Sequence, residues 1–129
     1  ESFAAHNQGT NDNPVAVRLN NATKYVATTT LTDLSWQNSH ILNGDVATAV
    51  GDLKQQDGPL LQVHGSWQLI QTLLAHDLVD EFRLWTFPVL VGSGKRLFSD
   101  TGTPKDIELA KTRSTDSGVV MSIYRRKGR

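Results

Sequence analysis

The chain has 129 residues, and its 13 lysine and arginine residues balance 13 aspartate and glutamate residues. This length predicts a single domain over residues 1–129, and the zero net charge gives no electrostatic reason to expect a nucleic acid or an anionic membrane as a partner. The absence of cysteine excludes thiol catalysis, cysteine-based metal centres and disulfides, and it fits a cytoplasmic location. No apolar run approaches the roughly 20 residues that a membrane span needs.

The first residues predict a helix, over positions 1–6, that begins in mid-element because no capping residue precedes it. The chain starts at Glu1 and its one methionine is Met121, so we expect an N-terminally incomplete domain. Residues 7–14 are rich in turn formers and predict a surface loop, after which residues 16–22 have the composition of a helix end.

The next segment alternates strands with a helix. Residues 24–30, KYVATTT, are β-branched and aromatic, and they predict a buried strand. Residues 39–42 predict a second, short strand. Asp45 is placed to cap a helix whose apolar residues recur at helical spacing, and the Asp-Gly-Pro sequence at 57–59 stops that helix.

The second half repeats this alternation and ends in a hairpin. Residues 60–64 predict a short strand, and Ser66 is placed as the N-cap of an amphipathic helix. Residues 80–91 predict a strand covered on both faces, with regular pairing ended by Pro88. Residues 107–114 and 119–124 flank a glycine turn and predict an antiparallel hairpin. This order predicts an α/β fold, with a mostly parallel sheet finished by a C-terminal antiparallel hairpin.

The most informative position for chemistry is the turn after residues 60–64, where Gly65 and Ser66 precede a helix. A glycine at a strand end lets a ligand approach the backbone, and a helix N-terminus offers free N–H groups, which together suit a pyrophosphate. Many strand–helix turns carry Gly and Ser for purely structural reasons, so both interpretations stay open.

A second glycine-rich segment, residues 91–96, has the sequence VGSGKR. Its glycine spacing differs from that of a P-loop, which favours a simple turn, although Lys95 and Arg96 could still meet an anionic ligand. The four histidines show no HxH or HExxH spacing, so no metal site is predicted, and His64 is most simply a structural residue. No GxSxG sequence supports a hydrolase, and no side chain stands out as a catalytic proton donor.

Three segments carry a family resemblance. They are KYVATTTLT at 24–32, WQNSHILNGDV at 36–46, and LLQVHGSWQLIQTLLAHDLVDEFRLWTFPVLVGSGKRLF at 60–98. Together they resemble the dihydrofolate-reductase-like family, and more narrowly the reductase domain of the bifunctional riboflavin-biosynthesis deaminase–reductase in its stand-alone bacterial form. The run from Val63 to Phe98 is the specific part of the match.

The resemblance implies a dihydrofolate-reductase-like fold that binds NADPH. By it, the candidate cofactor-binding residues are Gly65, Ser66, Trp67, Gln68 and Leu69 at the pyrophosphate. It also implies Thr28 and Thr29 near the adenosine 2′-phosphate, where threonine hydroxyls are suitable donors. The family often has a Gly-Gly pair where this chain has Gly-Ser, and serine adopts fewer turn geometries than glycine.

The function implied by the resemblance is that of an oxidoreductase. The expected reaction moves hydride from NADPH to a small pteridine- or pyrimidine-type substrate, best named as 5-amino-6-(5-phosphoribosylamino)uracil. The alternatives are a dihydrofolate-reductase-like enzyme and a non-catalytic nucleotide-binding protein on the same fold, since fold does not imply function. A homodimer is also expected, with the apolar segment 84–91 and the final hairpin as candidate interface.

Overall fold

The computed structural model of the chain describes residues 13–99, 102 and 104–128, which fall into two compact units. The first unit, ending at Gln56, contains helix α1 (Pro14–Asn21), strands β1 (Lys24–Val26) and β2 (Ser39–Ile41), and helix α2 (Val46–Gln55). The second, beginning at Asp57, contains helix α3 (Trp67–Ala75) and strands β3 (Glu81–Thr86), β4 (Ile107–Ser114) and β5 (Val120–Arg126). The helix predicted over residues 1–6 lies outside the described residues.

Helix α2 begins where the sequence predicts. The Asp45 carboxylate accepts a hydrogen bond from the Thr48 backbone N–H at 3.0 Å, which confirms Asp45 as its N-cap. The helix ends at Gln55, just before the predicted stop at 57–59. Strands β1 and β2 pair in parallel, also as expected from an α/β chain.

The first strand is shorter than predicted. Strand β1 ends at Val26 instead of Thr30, because β2 offers it only three register partners. Beyond it the Thr28 hydroxyl accepts hydrogen bonds from the backbone N–H groups of Thr30 and Leu31, at 3.3 and 3.2 Å. A side chain that bonds the backbone two and three residues ahead turns the chain and removes it from the ladder.

A polar network closes the C-terminal end of α1. The Lys24 ammonium donates to the backbone carbonyls of Leu19 and Ala22, at 2.6 and 2.8 Å, and lies 4.6 Å from the centre of the Trp36 ring. The buried Asn20 side chain accepts from the Trp36 indole N–H at 2.7 Å. Partial burial lowers the pKa of Lys24. These contacts satisfy carbonyl groups that a helix end leaves without intrahelical partners.

The second unit confirms the C-terminal hairpin. Strands β4 and β5 pair antiparallel across a turn in which Gly118 has a φ of 88° and its N–H donates to the Thr115 carbonyl at 3.0 Å. Strand β5 also pairs with β3, so the order across the sheet is β3-β5-β4. Strand β3 ends at Thr86, in agreement with the prediction that Pro88 ends regular pairing.

Two details of the predicted sheet are wrong. Residues 60–64 form no strand, because no segment among the described residues offers them a hydrogen-bonded neighbour, and Leu60 remains 74% exposed. The segment 80–91 is not covered on both faces, since Trp85 and Phe87 are 62% and 58% exposed. The α/β class itself is confirmed, with one parallel pair and an antiparallel three-stranded sheet.

An ion-pair cluster on β3 predicts a specific pH dependence. The Glu81 carboxylate accepts from the guanidinium groups of Arg83 at 2.7 Å and Arg125 at 3.0 Å, and these bonds, Arg83 first, lower the pKa of Glu81. A lowered carboxyl pKa stabilises the fold above the unfolded value, so this contribution should be lost as the pH falls below about 4.

This pH dependence is measured by urea unfolding across the acidic range. The Glu81→Gln variant should show a shallower decline of the free energy of unfolding than the wild type. The Glu108→Gln variant, at an exposed glutamate of the same sheet, is the control and should keep the wild-type decline. Equal declines in the wild type and Glu81→Gln would mean that these ion pairs contribute nothing.

Candidate functional site

The turn that leads into α3 has an unusual backbone. Gly65 and Ser66 both have positive φ, at 66° and 56°, and α3 begins at the next residue, Trp67. Ser66 occupies the N-cap position, and its carbonyl accepts from the Ile70 N–H at 3.0 Å. Its side chain makes no capping bond, so the prediction that Ser66 caps the helix through its hydroxyl is wrong. A side-chain cap needs an extended backbone, which the left-handed conformation does not provide.

The uncapped turn leaves backbone donors available. The N–H groups of Trp67, Gln68 and Leu69 belong to the first helical turn, where a helix has no internal acceptors. A side chain built on Gly65 would meet nothing within 4 Å, so the space above the turn is open. Free N–H groups at the positive end of a helix dipole, beside open space, suit a phosphate or pyrophosphate group. The five predicted residues at 65–69 are therefore contiguous around one anion-compatible turn.

The loop that follows β3 lies against the first half of α3. The Trp67 indole N–H donates to the Arg96 carbonyl at 2.8 Å, and the Gln71 side-chain amide donates to the Leu97 carbonyl at 2.7 Å. The Lys95 ammonium lies 5.1 Å from the centre of the Trp67 ring. Sequence reasoning missed this anchoring role of Trp67 and Gln71. Their spacing of four residues, which places both on one helix face, was the available signal.

The two threonines predicted near the adenosine phosphate belong to the first unit. Thr28 follows the end of β1, and its oxygen is used in the local turn with Thr30 and Leu31, which leaves its O–H free to donate. Thr29 lies at the tip of the same turn and is exposed. Both positions are compatible with a hydrogen-bonding role.

His64 precedes the turn and contacts only its own segment among the bonds found, with Nε2 3.1 Å from the Gln62 side-chain oxygen. Among residues 13–99, 102 and 104–128, no group of three or more histidine, cysteine, aspartate or glutamate side chains is arranged to hold a metal ion. Within the same residues, no helix has the length and apolar character to cross a bilayer.

The far end of α3 carries a different arrangement. Asp77, just past the helix, pairs with Lys105 at 2.6 Å and with Arg126, and the bond from Lys105 is the main reason that the pKa of Asp77 is lowered. These groups border a cavity of about 1020 Å³ whose apolar wall includes Phe82 and Phe98, with ring centres 5.6 Å apart. The ion pairs hold the carboxylate in its charged form, so Asp77 is unsuited to donate a proton at neutral pH.

The left-handed Ser66 predicts a stabilising substitution. A non-glycine residue in this conformation costs about 1–2 kcal/mol, partly offset in a Ser66→Gly variant by the greater entropy of unfolded glycine. We expect Ser66→Gly to raise the free energy of unfolding by about 0.5–1 kcal/mol. Urea unfolding measures the change, with Ser39→Gly in strand β2 as a control that should destabilise. A loss of stability in Ser66→Gly would contradict the left-handed assignment.

Comparison with known proteins identifies the family. The model of the RibD C-terminal domain matches residues 2–121. Two curated relatives from Bacillus subtilis (strain 168) are similar to the chain: YyaP is 35% identical over 105 residues, and YwjB is 27% identical over 93 residues. These matches cover 81% and 70% of this chain but 55% and 53% of the relatives, so the chain spans about half the length of the curated proteins it matches.

A solved structure supports the same fold. The crystal structure of a protein from Shewanella sp. PV-4 that is named for riboflavin biosynthesis superposes with a TM-score of 0.67 at 20% identity. The superposition covers 98% of this chain and 70% of the Shewanella protein. The matched family model spans almost the whole chain, and the chain therefore belongs to the RibD C-terminal domain family.

Proposed function

We propose that this chain carries the cofactor-binding part of an NADPH-dependent reductase that resembles 5-amino-6-(5-phosphoribosylamino)uracil reductase of riboflavin biosynthesis. Membership of the RibD C-terminal domain family supports a reductase, and hence a nicotinamide cofactor. The name of the Shewanella protein, which has the same fold, points to the same pathway.

The observation that carries the proposal is the open, uncapped turn at Gly65 and Ser66. Three features favour a pyrophosphate there: free N–H groups in the first turn of α3, the helix dipole, and open space above Gly65. The neighbouring Trp67 and Gln71 hold the 92–98 loop in place, so the wall beside the turn is fixed before a ligand arrives. A fixed wall reduces the entropy that binding must overcome.

The chain's own residues would bind and orient, while the cofactor supplies the chemistry. When bound, NADPH would supply a hydride to the ribosylamino carbon, and a proton from solvent would complete the reduction to a ribitylamino product and NADP⁺. The N–H groups of residues 67–69 would hold the pyrophosphate, and Thr28 and Thr29 would donate hydrogen bonds to the adenosine 2′-phosphate. Such positioning is the main contribution that a protein makes to hydride transfer.

A second candidate function is nucleotide binding without catalysis. One observation favours it: the two carboxyl groups with a lowered pKa, Asp77 and Glu81, are held ionised by basic partners. Neither is therefore a candidate proton donor at neutral pH. This alternative retains the cofactor turn and loses only the reaction.

Calorimetry with NADPH and NADH, followed by an absorbance assay at the nicotinamide band, separates these possibilities. The proposal expects NADPH to bind at micromolar to millimolar concentrations, more tightly than NADH, and to be consumed when the uracil substrate is added. Binding without turnover would favour the non-catalytic alternative. The absence of any NADPH binding at millimolar concentration would contradict both.

A further inference from the structure

The three-stranded sheet of the second unit has two unlike sides. Phe82 on β3 and Arg126 on β5 line the cavity beside α3, so their side of the sheet faces that helix. Because strand side chains alternate, Arg83 and Trp85 lie on the opposite side. The ion pairs of Glu81 with Arg83 and with Arg125 show directly that these side chains share that side. We call it the Trp85 face: the side chains of Glu81, Arg83 and Trp85 with their register partners on β5 and β4.

The Trp85 face carries apolar side chains that nothing in the described chain covers. Trp85 is 62% exposed, although burial of an aromatic ring is among the larger favourable contributions in protein interfaces. Its partner Met121 and the neighbouring Ile123 lie on the central strand β5. A central strand that is apolar on both sides is typical of a sheet covered on both sides. The pattern therefore indicates a partner on this face.

The charges of the Trp85 face are arranged in opposite senses at its two ends. In the antiparallel register, one end carries Glu81, Arg125 and Glu108 side by side. The other end carries Trp85, Met121 and Arg113. The residues beyond the Glu81 ion pairs are therefore an acid, Glu108, at one end of edge strand β4 and a base, Arg113, at the other. Such a face is complementary to itself when one copy is reversed.

We propose that a second copy of this chain covers the Trp85 face, in a homodimer whose two-fold axis runs across the strands at the level of Ile123. This axis reverses the strand direction between copies. It sets Glu108 of one protomer against Arg113 of the partner subunit, and the same pair forms a second time by symmetry. The apolar side chains of β5 meet at the centre.

The remaining charges are compatible with this arrangement. Arg83 is already paired with Glu81, so its charge is compensated within its own protomer. Lys111 lies on the edge strand at the rim, where a long side chain can pack its methylene groups and keep its ammonium in water. The zero net charge of the chain disfavours a polyanion as the occupant of this face.

The first test is the oligomeric state of the full chain, measured by light scattering and sedimentation at micromolar concentrations. The wild type should have twice the chain mass. Trp85→Lys should weaken the dimer by about a hundredfold, because it places a charge in the apolar centre. Thr86→Lys is the matched control: it adds the same charge at the next residue, on the opposite side of the sheet, and should leave the dimer intact. Circular dichroism confirms that each variant is folded.

The second test is a charge exchange. Glu108→Arg and Arg113→Glu should each weaken the dimer by about tenfold, and the double variant should recover most of the wild-type affinity. A monomeric wild type would overturn the proposal, as would equal disruption by Thr86→Lys and Trp85→Lys. A double variant no better than the single variants would overturn the two-fold arrangement. A monomer that binds polyanions through Trp85 would assign this face to a different partner.

Discussion

The Gly65→Val variant should bind NADPH at least about tenfold more weakly than the wild type, which corresponds to about 1.4 kcal/mol or more. Gly65 has a φ of 66°, and the space where a side chain would extend is open. A valine there would project two methyl groups into the region proposed for the pyrophosphate. It would also strain the turn, since β-branched residues strongly disfavour positive φ. Calorimetric titration of both proteins with NADPH measures the effect.

Backbone strain alone must be separated from loss of the ligand site. Gly128 has a φ of 84° and is equally open, yet it lies at the other end of the second unit's chain. Gly128→Val therefore imposes comparable strain away from the turn and should bind NADPH as the wild type does. Wild-type affinity in Gly65→Val would remove this turn from the cofactor site. Equal weakening in both variants would assign the effect to strain.

The Lys24→Met variant should lower the free energy of unfolding by about 2–3 kcal/mol. The Lys24 ammonium donates to three backbone carbonyls, those of Leu19, Asn20 and Ala22, and hydrogen bonds from charged donors contribute about 1.5–3 kcal/mol. Methionine keeps the aliphatic stem and removes both these bonds and the attraction to the Trp36 ring. The carbonyl groups at the end of α1 would then lack their donor.

Urea unfolding followed by tryptophan fluorescence measures this loss. Lys127→Met, at an exposed lysine near the C-terminus, is the matched control and should change the free energy of unfolding by less than about 0.5 kcal/mol. Indistinguishable midpoints for Lys24→Met and the wild type would mean that the ammonium merely lies near the helix end without stabilising it.

Local signals in the sequence predicted the elements that local interactions decide. Asp45 begins α2 through its own side chain, and the glycine turn at 116–118 closes the hairpin. Helix α3 follows the apolar spacing that buries Leu73. Each of these features depends on contacts within a few residues or between neighbouring strands, so composition and spacing were sufficient.

Features that depend on distant partners were not predicted. Residues 60–64 have a strand-like composition, but a strand forms only where another strand pairs with it. Ser66 has a good capping side chain, yet the left-handed backbone imposed by the tight turn turns it away from capping. The ion pairs of Glu81 join residues 44 positions apart, and no spacing rule identifies such a contact.

The candidate site was predicted in part for the same reason. The turn at Gly65 is a local feature, and both its position and its link to α3 follow from the sequence. The contacts of Trp67 and Gln71 with the 92–98 loop join positions 26 to 29 residues apart, and only the structure reveals them. The family resemblance, confirmed by the match over residues 2–121, supplied the identity of the expected cofactor.

The central claim is that the turn at residues 65–69 binds the pyrophosphate of NADPH. An NMR titration of the ¹⁵N-labelled chain with NADPH tests it most directly, because each backbone N–H reports its own surroundings. The account predicts that the amide signals of Gly65, Ser66, Trp67, Gln68 and Leu69 shift most, with saturation at the affinity found by calorimetry. Saturable NADPH binding that leaves these five signals unchanged would contradict it.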